Sequence, residues 1–442
     1  MANGWPHVPG RSKFPLHGRR EGAARNPGAD EEVGTTGKQR EIMLALVASM
    51  CALAAPHAGA QRLGPEPKKK RSDFVSDTNN ANALYDWGLR AIARDPSGAA
   101  DAFYWAARLN PAYAEPLYGR RAALLLRDPV LIRATMTSGR KPNKSVQTLD
   151  SLLLRALSLN PFLFRRFDRQ VLVAFIRESA THGPGGERVD GAELNYYIEQ
   201  YLSSTRDVEL KAWMAYADGD HDQALKLYAS AIRSSKGRGD LHVERGRIFA
   251  MRGAADSAIA EFNAALTEMR AKDDKNLVVL YNSKAVIEHS ICALLESKDD
   301  IAGAHEAYGR ALQEDLSFYP SHVRLGLLTL THGDTTAALS ELETASQVAG
   351  DEPWVPYSYG FALASAGQAD AAFAQLIKAT ELEPLYSRPY PIIAKIWERR
   401  GDATKAMAAY QAFLARASSD DPQRKLVDQA IENLKPFLTK GS

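Results

Sequence analysis

The chain has 442 residues, enough for two or three ordinary domains. Its 55 Lys and Arg against 53 Asp and Glu give a net charge of +2, an average over a basic stretch and an acidic remainder. With only two cysteines, Cys51 and Cys292, a fold held by several disulfides is excluded.

Residues 1–41 open the chain as a leader whose first 32 residues are rich in Gly, Pro and Arg and show no helical or strand period, so the leader is expected to be disordered. From Ile42 to Ala55 runs an almost unbroken apolar stretch, preceded by Lys38 and Arg40 and followed by Pro56-His57-Ala58-Gly59-Ala60-Gln61. A charged start, an apolar middle and a small-x-small ending are the parts of a secretory signal peptide, with cleavage expected between Ala60 and Gln61. The fourteen residues fall short of the roughly twenty that span a bilayer. Because such a segment sits oddly far into the chain, translation is expected to start near Val33 if its codon allows it. Met50 stands where lipoprotein processing before Cys51 needs a small residue, which argues against lipid attachment. Other readings of 42–55 are a short buried helix after a disordered tail and, with an intact N-terminus, a cytoplasmic protein.

Residues 61–80 look like a polar linker with a basic run, Pro67-Lys68-Lys69-Lys70-Arg71, of the kind that is usually solvated; a nuclear address would contradict export. In 81–204, an irregular helical region, Gly88, Phe103, Ala106 and Pro111 mark one helix pair, and Ala156 with Leu159-Asn160-Pro161 marks the end of another. The 50-residue step from Pro111 to Pro161 places an irregular insertion at about 128–147. Helices expected at about 163–180 and 191–204 are joined by Gly183-Pro184-Gly185-Gly186. Residues 108–177 hold thirteen Lys and Arg against four Asp and Glu, whereas 178–442 hold 28 against 38. Such a basic shoulder can steer an anionic partner, although arginines on helix faces are usually just solvated.

Between 205 and 419 one pattern recurs six times. A small residue occupies Ala212, Gly246, Cys292, Gly326, Gly360 and Ala394, and a turn follows at Gly219, Gly253, Asp299, Gly333, Gly367 and Gly401. Next come Ala224, Ala258, Ala304, Ala338, Ala372 and Ala406, then Tyr228, Phe262, Tyr308, Leu342, Leu376 and Tyr410. The last slot holds Ala231, Ala265, Ala311, Ala345 and Ala379, with Phe413 as the exception. Steps along the alanine series are 34, 46, 34, 34 and 34 residues, the 46 being one period plus an insertion of twelve. Small and large apolar residues at helical spacing predict two antiparallel helices per unit, of about twelve to fifteen residues each, with glycine ending the first. Residues 420–438 predict a final capping helix through Leu426, Ala430, Ile431, Leu434 and Phe437.

This 34-residue layout resembles the tetratricopeptide repeat (TPR) family, strongly over 205–419. The resemblance implies an all-α, right-handed superhelical solenoid of antiparallel helix pairs, in which the first helices line a concave groove. Carried over slot by slot, the groove residues are Glu209, Trp213 and Tyr216; Val243 and Arg247; Val323, Leu327 and Leu330; Trp354, Tyr357 and Phe361; and Arg388, Lys395 and Arg399. A floor of aromatic and aliphatic side chains with a basic end suits a protein or peptide partner, the bland alternative being that these side chains close the groove against neighbouring helices. Leu327 and Phe361 stand where some family members place asparagines that clamp a C-terminal carboxylate, so that mode is not expected.

No HExxH, CxxC or GxSxG motif occurs, and Gly34-Thr35-Thr36-Gly37-Lys38 is too short for a phosphate loop. His289 and Cys292 could form a metal pair by spacing, but Cys292 fills the small slot, where a compact thiol packs. His242 and His322 share one slot at the edge of the core. The aromatics around 162–175 have the spacing of a buried helix face, so nucleic-acid binding is not expected. The resulting expectation is an exported scaffold or adaptor, in the periplasm or cell envelope, with no catalysis, cofactor, metal or transmembrane span. Two other readings stay open: an envelope enzyme or enzyme subunit with its site in 112–204, and a cytosolic regulator.

Overall fold

In this computed structural model the chain divides into two units, Met1–Ala55 and Pro56–Ser442. The structure describes residues 63–128, 131, 144–181, 207–234, 238–271 and 283–438, all in the second unit. The leader 1–41, the segment 42–60, the Ala60–Gln61 site, most of the expected insertion 128–147, and 182–206 with His182 and the Gly183-Pro184-Gly185-Gly186 connection lie outside the described residues.

Among the described residues there are eighteen α-helices and no strand. Five come first: α1 Ala81–Ala91, α2 Pro96–Leu109, α3 Ala114–Arg127, α4 Lys144–Leu159 and α5 Asp168–Thr181. Six antiparallel pairs follow: α6 Val208–Ala217 with α7 His221–Ser234, α8 Gly239–Met251 with α9 Ala255–Ala271, and α10 Lys284–Ser297 with α11 Ile301–Glu314. The other three are α12 Tyr319–Thr331 with α13 Thr335–Ala349, α14 Trp354–Ser365 with α15 Ala369–Leu382, and α16 Pro389–Arg399 with α17 Ala403–Leu414; α18 Arg424–Leu438 ends the array. Within the six pairs each helix packs chiefly on its neighbours in sequence, which is how a solenoid of helix pairs is built.

The recurring slots have direct steric meaning. A Cβ added at Gly246 would lie 2.7 Å from Phe262, one at Gly326 2.7 Å from Leu342, and one at Gly360 2.8 Å from Leu376. The two helices of a pair therefore cross where one of them has almost no side chain. All six residues of the alanine series are fully buried, at 0% exposure. The six turn residues, Gly219, Gly253, Asp299, Gly333, Gly367 and Gly401, all have positive φ, between 62° and 89°. In each turn the next residue's N–H returns to a carbonyl five positions back, closing the helix end, as from Asp402 to Trp397 at 3.0 Å. That next residue is often Asp, and its carboxylate caps the second helix: Asp220, Asp300, Asp334 and Asp402 accept from backbone N–H groups at 2.9–3.1 Å.

Upstream, the Phe103 ring lies between Gly88 of α1 and Gly119 of α3. Residues 63–80, expected as a linker, are folded against the body. Leu63 and Phe74 are buried, the Lys69 carbonyl accepts from the Trp105 indole at 2.9 Å, and the Leu63 carbonyl accepts from Arg120 Nε at 2.8 Å. At the other end, α18 turns Val427 and Leu434 inward with Ala430 and Ile431 half-buried, while Leu426 and Phe437 stand 69% and 65% exposed, outside the face expected for them.

The N-terminal block runs antiparallel along the repeats and is tied to them by polar contacts across long sequence separations. The Asp77 carboxylate accepts from the Ser419 N–H at 2.7 Å, Arg108 makes a two-pronged pair with Glu383 at 2.9 and 3.0 Å, Arg155 reaches Glu352 at 2.8 Å, and Arg165 reaches Glu244 at 2.9 Å. All three arginine heads are largely removed from water. Removing one partner of a pair buried in this way typically costs about 3–5 kcal/mol, because the other charge is stranded.

Two buried histidines give the repeats opposite responses to pH. His289 is enclosed by the Tyr308 and Phe318 rings, with Nδ1 3.0 Å from the Ser321 hydroxyl, and burial, aided by Arg324, pushes its pKa down to about 3. At His322 burial works to lower the pKa, but hydrogen bonds to the Glu341 carboxylate at 2.7 Å and the Leu316 carbonyl at 3.0 Å outweigh it and raise the value.

Two stability measurements check this architecture. Gly360→Ala should cost about 1–3 kcal/mol through the clash with Leu376, and Gly367→Ala about 1–2 kcal/mol through its φ of +78° alone, since nothing lies within 4 Å of the added Cβ. Urea unfolding that leaves either unchanged would contradict the register. The His289 term is fully present above the unfolded pKa of about 6.5 and is lost as pH falls toward 3; the His322 term is fully present below about 6.5 and is lost as pH rises through its raised pKa. The stability advantage of the wild type over His289→Gln should therefore shrink by roughly 1.5 kcal/mol between pH 6.5 and 5. A constant difference would mean that His289 titrates normally.

Candidate functional site

Among the first helices of the pairs, α6, α8, α12, α14 and α16 carry the residues assigned to the groove, except Arg388, which is the N-cap of α16. Since the repeats are in step, residues one period apart lie beside each other on adjacent first helices. Leu327, Phe361 and Lys395 form such a row across α12, α14 and α16, which touch in that order. Leu330 lies one turn beyond Leu327, and Arg399 one turn beyond Lys395.

Burial divides the expected floor into two parts. Tyr216, Arg247 and Trp354 were expected on an open floor but are buried, as are Val243 and Val323. The reason is the N-terminal block. Phe164 sets its ring edge-on to Tyr216 at 5.4 Å, and the Tyr216 hydroxyl accepts from the Arg165 N–H at 3.1 Å. Arg247 is held by Glu244 at 3.1 Å, the carboxylate that Arg165 also engages. Leu159 packs into the cluster of Val323 and Trp354, and Phe162 into that of Val243 and Phe262. Trp213 on α6, and Leu327, Leu330 and Tyr357 further along the array, are half-buried, Tyr357 against the Tyr386 ring at 5.3 Å. Phe361 is 42% exposed, and Lys395 and Arg399 are exposed.

The basic shoulder has lost much of its free charge. Arg108, Arg155 and Arg165 are spent on Glu383, Glu352 and Glu244, and Arg169 pairs with Asp218 at 2.6 Å. Arg120 is buried against the Leu63 and Ala100 carbonyls and over the Tyr104 ring, and desolvation lowers its pKa to about 10. For Arg108, Arg155, Arg165 and Arg169 the acidic body of the chain thus supplies the counter-charge that an anionic partner would otherwise bring.

His289 and Cys292 do not form a metal pair. The His289 ring faces Ser321, while the Cys292 thiol donates to the Glu288 carbonyl at 2.9 Å from its slot in the crossing, and burial pushes its pKa up. Glu288, beside them in sequence, is paired with Arg310 at 3.0 Å. No group of three His, Cys, Asp or Glu among the described residues is placed to hold a metal ion, and no described helix is long and apolar enough to cross a membrane. His242 and His322, which share a slot, also share a partner type: each sets Nδ1 2.7 Å from a glutamate nineteen residues on, Glu261 and Glu341.

The family model of the tetratricopeptide repeat matches residues 210–275, which span the first two of the six pairs. No curated protein matches the chain. Among solved structures, YrrB, described as a TPR protein with an unusual peptide-binding site, is 16% identical, covering 46% of this chain and 97% of its own, with a TM-score of 0.38. MamA is 18% identical over 39% of this chain and 88% of its own, at a TM-score of 0.34. The C-terminal part of a TPR repeat-containing protein from Cytophaga hutchinsonii is 16% identical over 46% and 77%, at 0.40. The chain thus carries the tetratricopeptide repeat over 210–275, and the same helix pair is built in register from Val208 to Leu414.

Proposed function

We propose that this protein is a non-catalytic scaffold that docks a peptide or protein segment on the open row of its first helices, Leu327, Leu330, Phe361 and Lys395. Tetratricopeptide repeats serve as protein-interaction scaffolds in general; what supports a location is the exposure of Phe361. A large aromatic side chain left 42% exposed, between a leucine and a lysine on the same row, is apolar surface that no described helix covers. The closed half, around Tyr216 and Trp354, is core.

Phe361→Ala should leave the melting temperature nearly unchanged, because the side chain is already partly in water. It should weaken capture of a partner by about 1–2 kcal/mol, or about 5- to 30-fold. The readout is the affinity of parent and variant for the same captured protein; equal affinity would remove the row from consideration.

We further propose that the protein is exported and acts in the periplasm or cell envelope. The support is the charged, apolar and small-x-small order of residues 38–60. The first described residue is Leu63, so cleavage after Ala60 would remove none of the described residues. Amino-terminal sequencing of the secreted protein should begin at Gln61, and an intact leader would exclude this route.

A further inference from the structure

Chemistry changes along the open row. Its α12–α14 end is apolar through Leu327, Leu330 and Phe361, and its α16 end is cationic through Lys395 and Arg399, one repeat on. Among the described residues these two cations make no ion pair, whereas their basic neighbours do: Arg400 pairs with Asp370 and Lys405 with Asp402. Glu398, which stands between them in sequence, accepts from the Tyr410 hydroxyl of α17 at 3.1 Å. Arg388, at the start of α16, likewise has no carboxylate partner among the described residues.

We propose that the occupant of the row is a peptide segment that lays an apolar side chain over Leu327 and Phe361 and presents carboxylates to Lys395 and Arg399. This rests on the docking reading above and adds the chemistry of the partner. Exposed, unpaired cations beside an exposed aromatic complement an anion next to an apolar group, and they raise the association rate of such a segment in a salt-dependent way. Neighbouring packed helices lie about 8–10 Å apart, and an extended chain covers that distance in about three residues. The apolar residue and the first carboxylate should therefore stand about three residues apart.

The test is selection of random twelve-residue displayed peptides on the full chain at low salt, followed by fluorescence anisotropy with a labelled peptide from the enriched set. The expected result is an apolar residue with Asp or Glu about three positions away. Binding should fall at least ten-fold on Lys395→Glu with Arg399→Glu, fall with added salt, and fall about 5- to 30-fold on Phe361→Ala, with helicity unchanged in both variants. Enriched peptides that are neutral or basic, and that lose binding with Phe361→Ala but not with the charge reversals, would overturn the proposed chemistry while leaving the docking row in place. Peptides indifferent to all of these substitutions, or a selection that enriches nothing, would overturn both.

Discussion

Everything in this protein rests on one steric arrangement, a side chain reduced to hydrogen, methyl or thiol beneath a ring or a leucine. At Gly246, Gly326 and Gly360 a Cβ would intrude on Phe262, Leu342 and Leu376 at under 3 Å. At Ala212, Cys292 and Ala394 a small side chain sits opposite Tyr228, Tyr308 and Tyr410. Close crossing lets the two helices bury the alanine series between them, yet a single pair still leaves one face uncovered. The next pair covers it only if the crossing recurs in step, so the 34-residue period is itself a packing requirement. The twelve-residue insertion before the third pair leaves that step intact because it falls between pairs.

An array built only from such neighbour contacts would have two free ends. Here the N-terminal block runs back along the array and joins positions as far apart as Asp77 and Ser419. The charge asymmetry of the sequence, basic over 108–177 and acidic beyond, is resolved in part within the molecule, through Arg108, Arg155, Arg165 and Arg169. Each ion pair replaces hydration with a fixed partner, a geometry that holds because both members are enclosed. One consequence bears on function: the same block packs over Tyr216, Val323 and Trp354, while Leu327, Leu330, Phe361 and Lys395 stay half-buried or exposed.

How far the chain could be read in advance follows the range of the interactions involved. The turn residues were legible, including Asp299 as the one non-glycine member, because a positive φ at a helix end is decided within a few residues. The crossing was legible because its two sides are always sixteen residues apart. The aspartates that cap the second helices lie just after the turns and were open to the same local reasoning, though periodicity alone does not point to them. Burial of Tyr216, Arg247 and Trp354 was not legible, since it depends on Phe164, Arg165 and Leu159 arriving from a part of the chain with no fixed spacing to them. On α18, Val427 rather than Leu426 faces inward, and a helical stripe with apolar residues on both flanks does not specify which flank meets the last repeat.

By itself, then, the sequence determined the helix pairs and their register, because these follow from contacts at constant separation along the chain. Only the tertiary structure decided which groove residues are core and which are surface, that the stretch 63–80 is part of the body, and that the basic shoulder is answered in part from within. Those outcomes depend on where two distant segments meet. Sequence spacing carries no record of that meeting, which is set by complementary shape and charge once the repeats have stacked.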